Sequence, residues 1–356
     1  MTQAGPVRVL AVGDPFMPAG LFTAALAGLH GRVAVTELQI ARTEAAPPRA
    51  DAGRAVREYI GDPADLVAAV GGHDALLVHG APVTAEVLDA APLRLVCCAR
   101  GGPVNIDVAA ASARGIPVTS APGRNAAAVA ELTIAFALML LRGVPASARY
   151  LVDGGPLGAS TYEGGQFFGG AAANATLGLV GLGHVGREVA ARGRALGFRM
   201  LGYDPVPPDA IPPGVAMVAL DDLLSRSDLV SVHARATADN RHMFGAAAFA
   251  RMPKGAFFIN TARESLVDED ALAGALASGT LGGAALDVAE PPPAGNRHPL
   301  LDLPNVIITP HIGGATHETL RRGAEMAAAA VARLVAGQIP DHLVNPEILA
   351  DKEAAL

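Results

Sequence analysis

The sequence predicts an α/β protein: two Rossmann-like, doubly wound parallel-sheet domains with a cleft between them. Three observations carry this expectation. The chain has 356 residues, too many for one ordinary domain and suited to two. Short, continuous apolar runs alternate with helical segments, as strands buried on both faces of a parallel sheet do. This alternation pauses at a long apolar helix and a glycine-rich stretch, then starts afresh at "TLGLVGLG". An apolar fraction of 51% supplies the material for two cores.

Taken in order, "VRVLAV" reads as a buried strand, followed by a turn at Gly13-Asp14-Pro15. "LFTAALAGL" reads as a helix and "GRVAVTELQI" as a strand. "PADLVAAVGG" is a helix ended by glycines, and "DALLVHG" a strand. "TAEVLDAAP" is a helix for which Thr84 is a favourable N-cap. "RLVCCA" and "IPVTSA" are two more strands. The helix over 125–142 is too apolar for an ordinary surface helix and suits a spine shared by two domains. The following stretch, down to about residue 175, reads as a linker with an irregular loop. A second strand–helix alternation runs from "TLGLVGLG" to "NVIITPH", and an Ala-rich helix from about Thr316 leads to a polar tail. The boundaries expected are 1–124, completed by 315–356, and 125–314.

Composition excludes several functions. A net charge of −7 and the lack of any Lys/Arg run argue against nucleic acid as a partner. The only lysines are Lys254 and Lys352, and no GxxxxGK[ST] occurs, so P-loop chemistry is excluded. Cys97 and Cys98 are adjacent in a strand and point to opposite faces; they are expected to be two buried thiols in a reducing compartment, and no metal site is expected. The N-terminus shows no apolar signal region, and "AAAVAELTIAFALMLL" is short of a membrane span. A cytoplasmic protein without a membrane partner is the expectation.

One motif is specific by its context. Gly181, Gly183 and Gly186 form G-x-G-x-x-G between a strand and a helix. The next strand, "RMLGY", ends on Asp204, about 20 residues on, as a dinucleotide fingerprint requires. Gly181 makes the tight turn, Gly183 lets a pyrophosphate approach the backbone, and Gly186 lets helix and strand pack. His184 and Val185 open the helix, whose N-terminal N–H groups suit phosphates. Asp204 accepts from ribose hydroxyls and would repel a 2′-phosphate, so NAD is favoured over NADP.

Three further strands end on polar residues, at the edge where such sheets bind ligands. "GAFFINTARESLVD" places Thr261, Ala262 and Arg263 there; Arg263 is suited to an anionic substrate, or to a surface pair with Glu264 or Asp268. "NVIITPHIGGAT" places His311 beside Gly313 and Gly314, where an imidazole can exchange a hydroxyl proton as a hydride leaves the same carbon. "GGAALDV" ends on Asp287, a carboxylate suited to the nicotinamide amide. In the first domain, Arg100, Gly101 and Gly102 follow a strand, and the glycines bare N–H groups for an anion.

Together these segments resemble the D-isomer-specific 2-hydroxyacid dehydrogenase family. The resemblance runs from about residue 70 to 345 through "PVTAEVLDAAP", "RGGPVNID", "GIPVTSAPGRNAAAVAEL", "TLGLVGLGHVGREVA", "SDLVSVHARAT", "MPKGAFFINTARESLVD", "ALDV" and "NVIITPHIGGAT". It implies a substrate domain at the N-terminus, an NAD domain in the middle, and a return to the first domain through the last helix. It implies Arg263 as the substrate-orienting cation and His311 as acid/base. It also implies substrate-carboxylate contacts at Gly101 and Gly102, a nicotinamide contact at Asp287, and His233 in a loop on the adenosine side. A homodimer acting on a 2-hydroxy or 2-oxo acid is the implied assembly; "TYEGGQFFGG" is either a cleft wall or a dimer contact.

One departure bears on mechanism. In the family, the histidine is held by a glutamate in Asp-Val-x-x-x-Glu-Pro, and counting from Asp287 that position is Pro292. Either Glu290 reaches His311 through an altered loop, or the acid is missing. A carboxylate favours the protonated imidazole, so without one the reductive direction should fade sooner as pH rises. Arg235 stands where proline is common and Glu264 where glycine is common. The missing acid leaves a second reading open: an NAD(H)-sensing regulatory protein with weak or no turnover.

Overall fold

The computed structural model describes residues 5–41, 55–156, 163–206, 208–292 and 296–349. Residues 161–162 of "TYEGGQFFGG" and the end of the polar tail lie outside them. The chain divides into two compact units, Met1–Arg124 with Thr316–Leu356, and Asn125–Ala315.

The first unit opens with β1 (Val7–Gly13), α1 (Ala19–Ala25), β2 (Val33–Gln39), α2 (Pro63–Val70) and β3 (Ala75–Val78). It continues with α3 (Ala85–Asp89), β4 (Leu95–Cys98), α4 (Val108–Ala113) and β5 (Val118–Thr119). The sheet order is β2-β1-β3-β4-β5, all parallel, with the order reversing between β1 and β3. β3 and β4 are buried along their whole length, which explains their uninterrupted apolar sequences. α4 was absent from the sequence reading; Asp107 caps it by accepting from the Ala110 N–H, a local signal hidden between two strong strands. Thr84 does precede α3, but its hydroxyl makes no cap bond and is buried without a partner. Both cysteines are free and buried. Burial pushes the Cys97 thiol up to about 12 and that of Cys98 to about 11, so neither is a nucleophile.

The second unit begins with α5 (Ala126–Leu141) and α6 (Val144–Val152). α6 lies in the stretch read as linker: Pro145 sits in its first turn, where a missing N–H costs nothing. Then come β6 (Thr176–Val180), α7 (His184–Ala195), β7 (Arg199–Tyr203), β8 (Val215–Met217), α8 (Leu220–Arg226) and β9 (Leu229–Val232). α9 (Ala246–Arg251), β10 (Ala256–Asn260), α10 (Glu269–Ala277), β11 (Leu281–Leu286) and β12 (Val306–Ile308) complete it. The seven parallel strands run β12-β11-β10-β9-β6-β7-β8, with the reversal between β6 and β9. α5 packs Ala130, Ile134, Ala137 and Leu141 into one core cluster with β6, α7 and Ile259 of β10, which accounts for its apolar composition. The chain closes the first unit with α11 (His317–Val335), capped by Thr316, which buries Ala324, Ala327, Ala328 and Val331 with residues of α1, β1, β3 and β4. No single helix among the described residues is long and apolar enough to cross a membrane.

Candidate active site

In the second unit, the reversal point lies where the β6 and β9 carboxyl ends diverge, the position at which such sheets bind ligands. The three glycines do different work there. Gly181 has φ +98°, and a Cβ on it would stand 2.6 Å from the Ala234 nitrogen. Gly186, inside α7, would place a Cβ 2.1 Å from the Gly181 carbonyl oxygen, so only glycine lets α7 seat against the β6 turn. Gly183 is exposed, and its Cβ would meet nothing within 4 Å: the space is open in front of the α7 N-terminus, at His184 and Val185. That open cradle, with unbonded N–H groups at a helix start, fits a pyrophosphate. Asp204 closes the loop from β7, accepting from the Leu182 N–H at 2.8 Å and the Val206 N–H at 3.1 Å.

His233 ends β9 at the same point. Its Nε2 lies 3.0 Å from the Ser231 hydroxyl, and its Nδ1 is buried with no partner. Burial pushes the imidazole down to about 3, so it is neutral at physiological pH. A sealed, unpaired ring nitrogen beside the glycine turn is a further indication of a bound group there.

Arg263 follows β10, exposed, with Nη1 donating to the Ala262 carbonyl at 2.7 Å. Its loop is fixed by Asn260, fully buried, whose Nδ2 donates to the Arg263 carbonyl (2.8 Å) and whose Oδ1 accepts from the Ala262 N–H (3.0 Å). Thr261 lies 3.1 Å from the Thr133 hydroxyl of α5; because Thr133 donates to the Val129 carbonyl, Thr261 is the donor in this pair. Sequence reasoning missed Asn260 and Thr133, though a polar residue closing the apolar run "AFFIN" was a signal.

His311 follows β12 and is exposed, in the left-handed region at φ +57°. Its N–H donates to the Asp287 and Thr309 carbonyls, each at 2.9 Å. Asp287, 2% exposed, accepts from the Thr309 hydroxyl (2.6 Å), the Ile312 N–H (2.8 Å) and the Gly313 N–H (2.7 Å). Its carboxylate thus holds the histidine turn. A Cβ at Gly313 would come 2.8 Å from that carboxylate, and one at Gly314 would come 3.1 Å from Asn125. Arg263 and His311 therefore stand at one sheet edge, with only β11 between their strands.

The altered-loop reading of Glu290 is not what the structure shows. Its carboxylate lies 3.8 Å from Arg241, and no hydrogen bond or ion pair joins it to His311. The cause is an anchor upstream: Glu269, at the start of α10, accepts from the Glu290 N–H (2.7 Å) and pairs with His298 Nε2 (2.9 Å), fixing the loop from both sides. Among the described residues no carboxylate pairs with His311.

In the first unit, Arg100 donates to the Glu58 carbonyl (2.9 Å) and carboxylate (3.2 Å). Gly101 and Gly102 are exposed, and neither N–H meets an acceptor among the described residues.

The fold and the glycine cradle define a dinucleotide-binding α/β protein with a cation and an imidazole at one sheet edge. The family described as "D-isomer specific 2-hydroxyacid dehydrogenase, NAD binding domain" matches residues 134–313. A glyoxylate reductase of Korarchaeum cryptofilum is 37% identical over 271 residues, 75% of this chain and 81% of the relative. A D-3-phosphoglycerate dehydrogenase of Mycobacterium tuberculosis is 39% identical over 284 residues, 79% of this chain but 52% of the relative, so the chain spans about half that protein's length. The solved structure of a D-2-hydroxyisocaproate dehydrogenase superposes with a TM-score of 0.79 at 25% identity, over 95% of this chain and 100% of the other. The chain belongs to the D-isomer-specific 2-hydroxyacid dehydrogenase family. It is an NAD-dependent oxidoreductase acting between 2-hydroxy and 2-oxo acids.

Proposed function

We propose that Arg263 and His311 carry the reaction, and that Glu290 takes no part in it. Arg263 binds and polarises the 2-oxo acid through its planar fork. His311 gives a proton to the carbonyl oxygen in reduction and takes it back from the hydroxyl in oxidation. The nicotinamide, when bound, supplies or accepts the hydride at the same carbon. Gly181, Gly183, His184, Val185 and Gly186 hold the pyrophosphate, Asp204 the adenosine ribose, and Thr261, Ala262, Asp287, Gly313 and Gly314 the nicotinamide side. His233 offers its unpaired Nδ1 to the dinucleotide. Asp204 favours NAD, because its charge repels a 2′-phosphate. The first unit, with Arg100, Gly101 and Gly102, is the substrate domain, and the second the NAD domain. We place the protein in the cytoplasm as a homodimer; two buried, free thiols support a reducing compartment.

The observation that carries this reading is that Arg263 and His311 share one edge, each on a turn held by a buried polar side chain, Asn260 for one and Asp287 for the other. His311→Ala should abolish NADH oxidation with every 2-oxo acid while leaving NADH affinity, read by fluorescence titration, nearly intact. Unchanged turnover would remove His311 from the mechanism. The unpaired state of His311 is the one feature favouring an NAD(H)-sensing role. Tight NADH binding with no turnover across the panel would establish that alternative.

A further inference from the structure

The first unit carries a buried polar chain that the mechanism above does not use. Asp14, 1% exposed at the carboxyl end of β1, accepts four hydrogen bonds. Oδ1 takes the N–H groups of Phe16 (2.9 Å) and Met17 (3.0 Å); Oδ2 takes Gly80 N–H (2.8 Å) and His79 Nδ1 (2.9 Å). Because Nδ1 of His79 faces a carboxylate, it carries the proton, and Nε2 is left as an acceptor. The Arg124 guanidinium fills that role: its Nη2 lies 3.3 Å from His79 Nε2, and its Nη1 lies 3.5 Å from the Thr319 carbonyl of α11.

Arg124 is built into its place. Its stem lies against Gly323 in the middle of α11, where a Cβ would come 3.2 Å from the Arg124 Cδ and 2.9 Å from the Ala99 carbonyl. A mid-helix glycine costs about 1 kcal/mol relative to alanine, and here it clears room for this side chain and strand. Yet Arg124 has no ion pair among the described residues, and its nearest acid is saturated behind His79. Burial lowers its pKa from the ordinary guanidinium value, opposing a charge that is nonetheless retained. The remaining donors are not sealed off. The neighbouring loop brings Arg100 and the free N–H groups of Gly101 and Gly102, tied to the Arg124 loop by the Ala121 N–H bond to the Arg100 carbonyl at 2.8 Å. All these loops leave the carboxyl ends of β1, β3, β4 and β5, the ligand-binding edge of a parallel sheet.

We propose that Arg124, oriented by the Asp14–His79 pair, is a specificity-determining cation that binds a second anionic group on the substrate, so that this enzyme prefers dianionic 2-oxo acids. This rests on the function proposed above. A buried cation without a counter-ion gains most from a ligand that supplies one, and a planar guanidinium suits a carboxylate or a phosphate alike. His79 and Asp14 act through Arg124 as positioning residues.

Two matched pairs of substrates test this: 3-phosphohydroxypyruvate against hydroxypyruvate, and 2-oxoglutarate against 2-oxopentanoate. Members of each pair differ in the second charge, as phosphate in one case and carboxylate in the other. The wild-type enzyme should favour the dianion of at least one pair in kcat/KM, and the preferred pair identifies the group. Arg124→Gln should remove the preference, lowering kcat/KM for that dianion roughly 10–100-fold, mostly through KM. The uncharged-tail partner should change by less than about threefold. Arg124→Lys should restore part of the loss, which a folding defect would not permit. Equal use of both members of each pair by the wild type, or an equal fall for both in Arg124→Gln, would overturn the proposal. Should the wild type turn over none of the four, the proposed function has failed, and calorimetric titration of both proteins with the same compounds decides the subsite separately. Binding of a dianion that is lost in Arg124→Gln supports it, and its absence or insensitivity refutes it.

Discussion

Replacing Asp287 by Asn preserves shape and removes one acceptor, which makes the consequence calculable. The carboxylate holds Thr309 and Ile312 through Oδ1 and Gly313 through Oδ2. A carboxamide that keeps its oxygen at the first position turns its NH2 group toward the Gly313 N–H, donor against donor. One charge-assisted bond is lost and one buried donor is left unpaired, together about 2–4 kcal/mol against the present turn. The strained φ of His311 has then lost part of what enforces it, and the turn relaxes. A displacement of the imidazole on the order of 1 Å costs about 10²-fold in rate. Asp287→Asn should therefore lower kcat by about that factor, with NADH affinity little changed. The assay is steady-state NADH oxidation with the best 2-oxo acid, beside fluorescence titration of NADH. A kcat close to wild type with strongly weakened NADH binding would refute the reasoning, and would make Asp287 a nicotinamide contact alone.

Gly183→Ala and Gly186→Ala should separate binding from folding. The first adds a methyl to open space and should melt like wild type while losing NADH affinity; normal affinity would contradict a pyrophosphate seat there. The second forces a Cβ to 2.1 Å from the Gly181 oxygen and should destabilise by about 1–3 kcal/mol or more, read in the thermal melt. His233 gives a pH dependence. Its folded value, about 3, lies below the unfolded value of about 6.5, so the unfolded chain binds the extra proton as pH falls. Stability from this group is whole above about pH 6.5 and declines toward pH 3, by at most about 1.4 kcal/mol per unit for this half-buried residue. His233→Gln should flatten that decline in urea midpoints measured between pH 7 and pH 5, and an unchanged slope would show that the imidazole is not held neutral.

Local signals made much of this molecule legible in advance. β3, β4 and β9 announce themselves because both faces are buried and no polar residue interrupts them. The glycine cradle could be read because each glycine answers a backbone requirement within one turn. Arg263 and His311 could be placed because strand ends in a parallel sheet share an edge. What stayed hidden depends on distant partners. Nothing near Asp287 indicates that its carboxylate receives N–H groups from 25 and 26 residues downstream. Asp14, His79 and Arg124 come from three loops and meet only because β1, β3 and β5 end together. α6 was obscured by the glycines that follow it, which outweighed a proline start and a short amphipathic run.

The Pro292 departure shows how a catalytic geometry can be held without its usual acid. A glutamate paired with the histidine would supply two things at once, orientation and charge. Orientation is already provided here by the main chain: the His311 N–H is fixed to Asp287 and Thr309, and the next two N–H groups to the Asp287 carboxylate. Charge is not, because Glu290 faces Arg241 while Glu269 holds the Glu290 N–H and His298. Removing Glu290 should therefore leave turnover near wild type, since its carboxylate serves only a half-exposed ion pair worth at most about 1 kcal/mol. Glu290→Gln, compared with the wild type in kcat across pH 5–9, tests the separation. A fall of about 10²-fold or more would mean that the carboxylate reaches the imidazole during turnover, and that the arrangement at Arg241 is not the working one.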